Sequence, residues 1–184
     1  MTRFRGFISI DIGVFPKLVE LENEIKNTGV NVKLVEPEIV HITLKFLGDT
    51  EEENIDEIED IIKKSVEATT PFDVKLVGTG VFPNPGYVKV VWIGIKEGEQ
   101  IGVIADKIDS QLVNLGFERE KRRFSPHLTI ARVKTAKNKD KLLQVVEKYR
   151  DVEFMSLKVD TICLKKSELT PKGPIYTTVR EIKI

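Results

Sequence analysis

The feature that most restricts what this chain can become is a four-residue pattern that occurs twice. His41-Ile42-Thr43-Leu44 and His127-Leu128-Thr129-Ile130 surround the only two histidines in the sequence. With thirteen threonines in 184 residues, one standing two places after both histidines is a roughly one-in-two-hundred coincidence, before the aliphatic flanks are counted. In a strand successive side chains point to opposite faces, so His41 and Thr43 share one face about 6.6 Å apart, and Ile42 and Leu44 share the other. His127 and Thr129 stand in the same relation above Leu128 and Ile130. Each motif thus predicts a strand with an imidazole and a hydroxyl on one face and core-seeking side chains on the other.

The rest of the chain supplies the frame. Phe4 to Ile12 alternates as a strand, with Gly6, Ile8, Ile10 and Ile12 on one face and Arg5, Phe7, Ser9 and Asp11 on the other. Pro16 opens a helix with the stripe Leu18, Leu21, Ile25, and Gly29 stands just past its end. A short strand, Val30 to Val35, and a turn at Pro37 lead into the first motif strand, Val40 to Leu47, which Gly48 is expected to end. Thr50 and Glu53 have the spacing of a capping box before a helix striped by Ile55, Ile58, Ile62 and Val66. Strands at Phe72 to Phe82 and Tyr87 to Ile95 follow, joined by Pro83-Asn84-Pro85-Gly86. A helix carrying Ile101, Ile104, Ile108 and Leu112 stops at Gly116, and a charged segment precedes the second motif strand, Pro126 to Val133. A helix from about Lys137 to Tyr149 and strands at Val152 to Lys165 and Ile175 to Ile184 complete the chain.

Measured from the histidines, the chain repeats. A helix-ending glycine lies twelve residues before His41 and eleven before His127, and a new helix begins about nine residues after each. The expected architecture is α+β: one domain spanning 1–184 with an internal duplication, built as two pseudo-symmetric lobes of antiparallel sheet and helices around a central cleft. The motif strands would then face each other across that cleft.

Composition narrows the function. Lys+Arg and Asp+Glu both number 29, so no overall charge draws the chain to nucleic acid or membrane, and any basic surface is local. Cys163 is the only cysteine, which excludes an intramolecular disulfide and fits a reducing interior. Neither a signal peptide nor a run of ~20 apolar residues is present, so the expectation is a soluble cytoplasmic protein, monomeric by preference. Gly78-x-Gly80-x-x-Pro83 leads to a strand and lacks the third glycine of a dinucleotide loop, and no phosphate-loop lysine exists. The histidines have no partner ligand at metal spacing, so neither cofactor nor metal is expected.

Two imidazoles, each beside a hydroxyl, suit displacement at a phosphodiester. One deprotonates the attacking oxygen, the other protonates the leaving oxygen, and the hydroxyls donate to the non-bridging oxygens as charge grows. A lone strand histidine is ordinarily structural. A repeated core, however, has reason to repeat its apolar positions and none to repeat a costly polar pair.

The paired motifs resemble those of the two-histidine phosphoesterase superfamily, and within it the RNA 2′,3′-cyclic phosphodiesterases, also called LigT-like or 2′-5′ RNA ligase family proteins. The likeness extends over Arg5-Gly6-Phe7-Ile8-Ser9-Ile10-Asp11, Val40 to Gly48, Phe124 to Val133, and Ser167 to Tyr176. It implies a two-lobed fold with its site between the lobes, acting on RNA or a nucleotide ending in a 2′,3′-cyclic phosphate and yielding a 2′-phosphate without a cofactor. It also implies His41 as proton donor to the leaving 3′ oxygen, His127 as base on water, and Thr43 and Thr129 as phosphate ligands; the near-symmetric motifs alone leave the acid and base unassigned. The rivals are 2′-5′ RNA end joining by the same histidines, and a nucleotide- or RNA-binding module that turns nothing over.

Further candidates rest on faces. Phe7, on the polar face of the first strand, suits stacking on a terminal base or packing between lobes. Lys45 shares the face of His41 and Thr43 by alternation and would meet an RNA phosphate; Ala131 at the equivalent place would leave room for substrate. Arg132 is an attractive phosphate ligand by resemblance, yet alternation turns it away from His127 towards a structural ion pair. Arg119, Lys121, Arg122 and Arg123 form the densest basic run, diluted by Glu118 and Glu120, and would steer RNA. Ser167 and Tyr176 enter on resemblance alone.

Overall fold

The computed structural model describes residues 2–135 and 137–184. The strands are β1 (Arg3–Asp11), β2 (Val32–Leu34), β3 (His41–Glu51), β4 (Phe72–Asn84), β5 (Tyr87–Lys96), β6 (His127–Val133), β7 (Glu153–Val159), β8 (Thr161–Thr170) and β9 (Gly173–Lys183). The helices are α1 (Pro16–Asn27), α2 (Ile55–Val66), α3 (Glu99–Leu112) and α4 (Lys139–Lys148). All strands belong to one curled antiparallel sheet in the order β7-β4-β5-β6-β3-β1-β8-β9, with β2 added on β6. The α+β class and the helix stripes read from periodicity are therefore the observed ones.

The four helices cover one face of the sheet and bury two cores. Ile8 and Ile10 of β1, Ile42 and Leu44 of β3, Leu164 of β8 and the stripes of α2 and α3 form the first. Val91 and Ile93 of β5, Leu128 and Ile130 of β6, and the stripes of α1 and α4 form the second. Sequence halves and cores do not coincide. Helix α1 follows β1 but packs under β5 and β6, while α3 follows β5 but packs under β3 and β1, so the chain crosses the middle of the sheet repeatedly. No described helix is long and apolar enough to cross a membrane.

The motif strands are neighbours, which corrects the expected facing arrangement. Strands β3 and β6 lie side by side at the sheet's centre, joined at the rung Ile42↔Leu128. The rung joins the aliphatic residue that follows each histidine, and the antiparallel order sets the histidine of one motif against the threonine of the other.

Other differences have local causes. Strand β3 continues through Gly48, which takes φ +68° beside a bulge, and ends at Glu51. Thr50 consequently stays in the strand, its hydroxyl donating to the Gly48 carbonyl at 3.1 Å, and α2 starts after a 3-10 turn with no side-chain cap. The segment read as one strand from Val152 to Lys165 breaks at Asp160, because β7 pairs with β4 and β8 with β1, near opposite ends of the sheet.

Candidate active site

The sheet face away from the helices carries the site. The rung Ile42↔Leu128 points Ile42 and Leu128, both fully buried, into the cores and leaves His41, Thr43, His127 and Thr129 half-buried on the opposite face. In an antiparallel pair this register sets His41 across from Thr129 and Thr43 across from His127, with the histidines on a diagonal of roughly 7–8 Å between backbones. The four groups that the sequence repeats are brought together.

Both imidazoles are oriented alike. His41 Nδ1 lies 2.9 Å from the Ile39 carbonyl, and His127 Nδ1 lies 2.8 Å from the Ser125 carbonyl. A carbonyl can only accept, so each Nδ1 carries a proton and each Nε2 is left for proton transfer. Among the described residues the hydroxyls of Thr43 and Thr129 make no hydrogen bond to protein, so both are available as donors. The surroundings differ. Burial pushes the His41 pKa below the ordinary imidazole value, with the Ile39 carbonyl and Asp11 opposing and Lys165 assisting.

Aromatic rings wall each histidine. Phe7 is only 4% exposed, its ring centroid 4.9 Å from those of His41 and Tyr176, and Tyr176 meets His41 edge-on at 5.4 Å. Phe7 lies on the expected face, but these two rings cover it, so it buttresses His41 rather than offering a free platform. Phe82 of β4 does the same for His127, edge-on at 5.0 Å. Nothing in the sequence around Phe82 marks it for this role. Asp11, opposite His41 in the register, pairs with Lys165 and accepts from Ser9 Oγ.

Strict alternation misplaces two candidates for one shared reason. In the ladder with β1, Ser9 pairs with Thr43 and Ile8 with Lys45, so Leu44 is an extra residue; in the ladder with β5, Trp92 pairs with Thr129 and Val91 with Ala131, so Ile130 is extra. A bulge three residues after each histidine reverses the faces beyond it. Lys45 therefore turns into the core side, where Nζ donates to Asp109 Oδ1 at 2.6 Å and the Glu118 carbonyl at 2.7 Å, away from any position on the imidazole face. Arg132 makes the opposite move: it is exposed on the imidazole face with no ion pair among the described residues, and it and Arg5 are close enough to lower the pKa of Tyr176 that burial raises. Of the two readings open for Arg132, the structural ion pair is not found among the described residues, and the residue lies on the same face as the imidazoles.

Among the described residues no group of three or more His, Cys, Asp or Glu side chains is placed to hold a metal ion. Cys163 is buried, its thiol pushed up to about 11 chiefly by burial, so it is a packing residue at neutral pH.

Comparison with known proteins bears on the family and the fold. The family model described as the 2′-5′ RNA ligase superfamily matches residues 17–170. The chain is 38% identical over 184 residues to an RNA 2′,3′-cyclic phosphodiesterase of Methanothermobacter thermautotrophicus, covering 99% of this chain and 100% of that one. A protein of the same description from Methanocaldococcus jannaschii is 42% identical over 179 residues, covering 96% and 99%. Among solved structures, a Thermus thermophilus protein superposes with TM-score 0.78 at 26% identity, with 97% of each chain covered. Escherichia coli LigT complexed with 3′-AMP has the same fold, with TM-score 0.71 at 20% identity and 100% and 99% of the chains covered. With its paired motifs, its sheet and its full-length likeness in accord, the chain belongs to the 2′-5′ RNA ligase superfamily.

Proposed function

We propose that this protein is an RNA 2′,3′-cyclic phosphodiesterase that opens a terminal 2′,3′-cyclic phosphate to a 2′-phosphate by paired-histidine acid and base catalysis. The observation that carries the reading is the rung Ile42↔Leu128, which sets two imidazoles with identically fixed Nδ1 atoms on one face of adjacent strands. The relatives' descriptions supply the substrate class. Neutral His127 takes a proton from water at Nε2 as the water oxygen bonds to phosphorus. His41, protonated at Nε2, gives its proton to the departing 3′ oxygen as the P–O3′ bond breaks, leaving a 2′-phosphate and a 3′ hydroxyl. Burial disfavours the protonated form of free His41, whereas the negative charge of the bound phosphodiester favours it, so this ring gains its proton as substrate binds. Thr43 and Thr129 donate to the non-bridging oxygens, and the Arg132 guanidinium supplies positive charge beside them.

The test is turnover of a cyclic-phosphate-ended oligonucleotide in the presence of chelator by the parent protein, His41→Ala and His127→Ala. Turnover in the parent and loss of at least about a hundredfold in each folded variant supports the reading. Tight binding without turnover in the parent would instead mark a binding module.

A further inference from the structure

Strands β3 and β6 carry the same burial pattern over seven residues, yet beyond their single rung the edges they turn towards each other are covered differently. Beyond the central rung, β6 is edged by β2 through Val32↔Val133, Lys33↔Arg132 and Leu34↔Ala131, continued by Val35 N–H donating to the Ile130 carbonyl at 2.9 Å. Strand β2 lies nine to seven residues before His41; at that offset before His127 stand residues 118–120. Among the described residues no backbone hydrogen bond joins that stretch to β3. A groove of about 560 Å³, lined by Phe46, Leu115, Phe117 and Glu118 among others, runs beside the open edge.

Side chains make the tie that the backbone does not. Lys45, 3% exposed in its side chain, joins Asp109 of α3 to the Glu118 carbonyl. The Asp109 carboxylate in turn accepts the Glu120 N–H at 3.2 and 3.3 Å, and Arg119 Nε lies 3.5 Å from it. Residues 118–126 run from this knot directly into His127, and on the way present Lys121, Arg122 and Arg123, exposed and without ion pairs among the described residues. Ser125, whose carbonyl fixes the His127 ring, lies in the same strap.

We propose that Lys45 and Asp109 are positioning residues for His127: their buried pair replaces the missing strand ladder and fixes the strap against the strand that carries His41. Lys45 follows His41 by four residues, so one cation sets the spacing between the strand of the first imidazole and the entry to the second. Phe117 and Phe124 pack on the first core and hold the strap's flanks, which leaves the knot to fix its middle. The catalytic part of this inference rests on the hydrolase reading above.

Removing one member of a buried ion pair strands the other charge, whereas replacing both by apolar residues of similar size is often neutral for stability. The test is therefore Lys45→Met/Asp109→Leu, followed by thermal unfolding, amide hydrogen exchange and steady-state kinetics on a 2′,3′-cyclic mononucleotide. The expected result is a folded protein whose amides at 118–125 exchange at least about tenfold faster while those of α2 are unchanged, with kcat lowered about tenfold or more and KM altered less than about threefold. A folded double variant with parental exchange in the strap, or with parental kcat, overturns the proposal. Should the variant not fold, the parent decides: the Glu120 amide must exchange at least about tenfold more slowly than those of residues 121–123, and equal rates overturn the proposal. Exchange needs no turnover, so failure of the hydrolase reading alone leaves this pattern standing and is told apart from failure of the tie.

Discussion

Ile42 and Ile62 allow the role of the central rung to be separated from the role of the core. Both are fully buried, both belong to the first core, and both are isoleucines, but Ile42 forms the rung between His41 and Thr43 while Ile62 sits on α2. Truncation to alanine removes three carbons, about 2.4 kcal/mol of transfer free energy at ~0.8 per methylene. The unrelaxed cavity raises this to about 3–4 kcal/mol. For a domain of this size each kcal/mol lowers the melting temperature by about 2–4 °C, so both variants should melt roughly 6–16 °C below the parent. Assayed at 25 °C on a cyclic-phosphate substrate, they should differ in kcat. Ile62→Ala should keep nearly all of it, whereas Ile42→Ala, with its rung slackened and His41 displaced against Thr129, should lose about fivefold or more. Equal kcat values in two folded variants of equal stability would refute the idea that this rung sets the catalytic geometry.

Two titrations test the electrostatics. The His41 ring, followed by NMR in the free protein, should titrate below an ordinary imidazole and move upward on addition of inorganic phosphate; a midpoint above the ordinary value would contradict its burial. Glu22 of α1 is 4% exposed, has one carboxylate oxygen without a hydrogen-bond partner among the described residues, and has its pKa pushed up to about 7, chiefly by burial and slightly by Glu38 against Lys26. Its folded pKa exceeds the unfolded value, so its contribution to stability is intact in acid and is lost as pH rises towards and through about 7. Glu22→Leu should therefore stabilise by about 1–3 kcal/mol at pH 8 and by less at pH 4 in urea unfolding, and the reverse order would refute this.

Period-two alternation reads the sheet correctly only as far as the ladder stays regular. It places His41 with Thr43, His127 with Thr129, and the whole of Arg5, Phe7, Ser9 and Asp11 on the faces observed, because none of those stretches itself carries an inserted residue. One residue further along each motif strand the extra Leu44 and Ile130 reverse the phase, and a bulge of this kind has no composition of its own when the inserted residue is aliphatic. Nor does Asp160 announce that the chain leaves one end of the sheet for the other; that break is decided by which partner strands are available, a long-range matter. A local clue to the bulge does exist, and it appears only when the two motifs are compared with each other. Four residues after the histidines stand Lys45 and Ala131, and five after stand Phe46 and Arg132. Alanine at a position that alternation assigns to the polar face, followed by arginine at one it assigns to the core, is improbable in a regular strand and natural once the phase has slipped. With the slip made, Arg132 and the 61%-exposed Phe46 turn outward, and Lys45, now facing the core, requires a buried partner, which Asp109 on α3 provides. A bulge present at the same offset in both strands is thus what turns Arg132 to the imidazole face and, by the same backbone step, turns Lys45 towards Asp109.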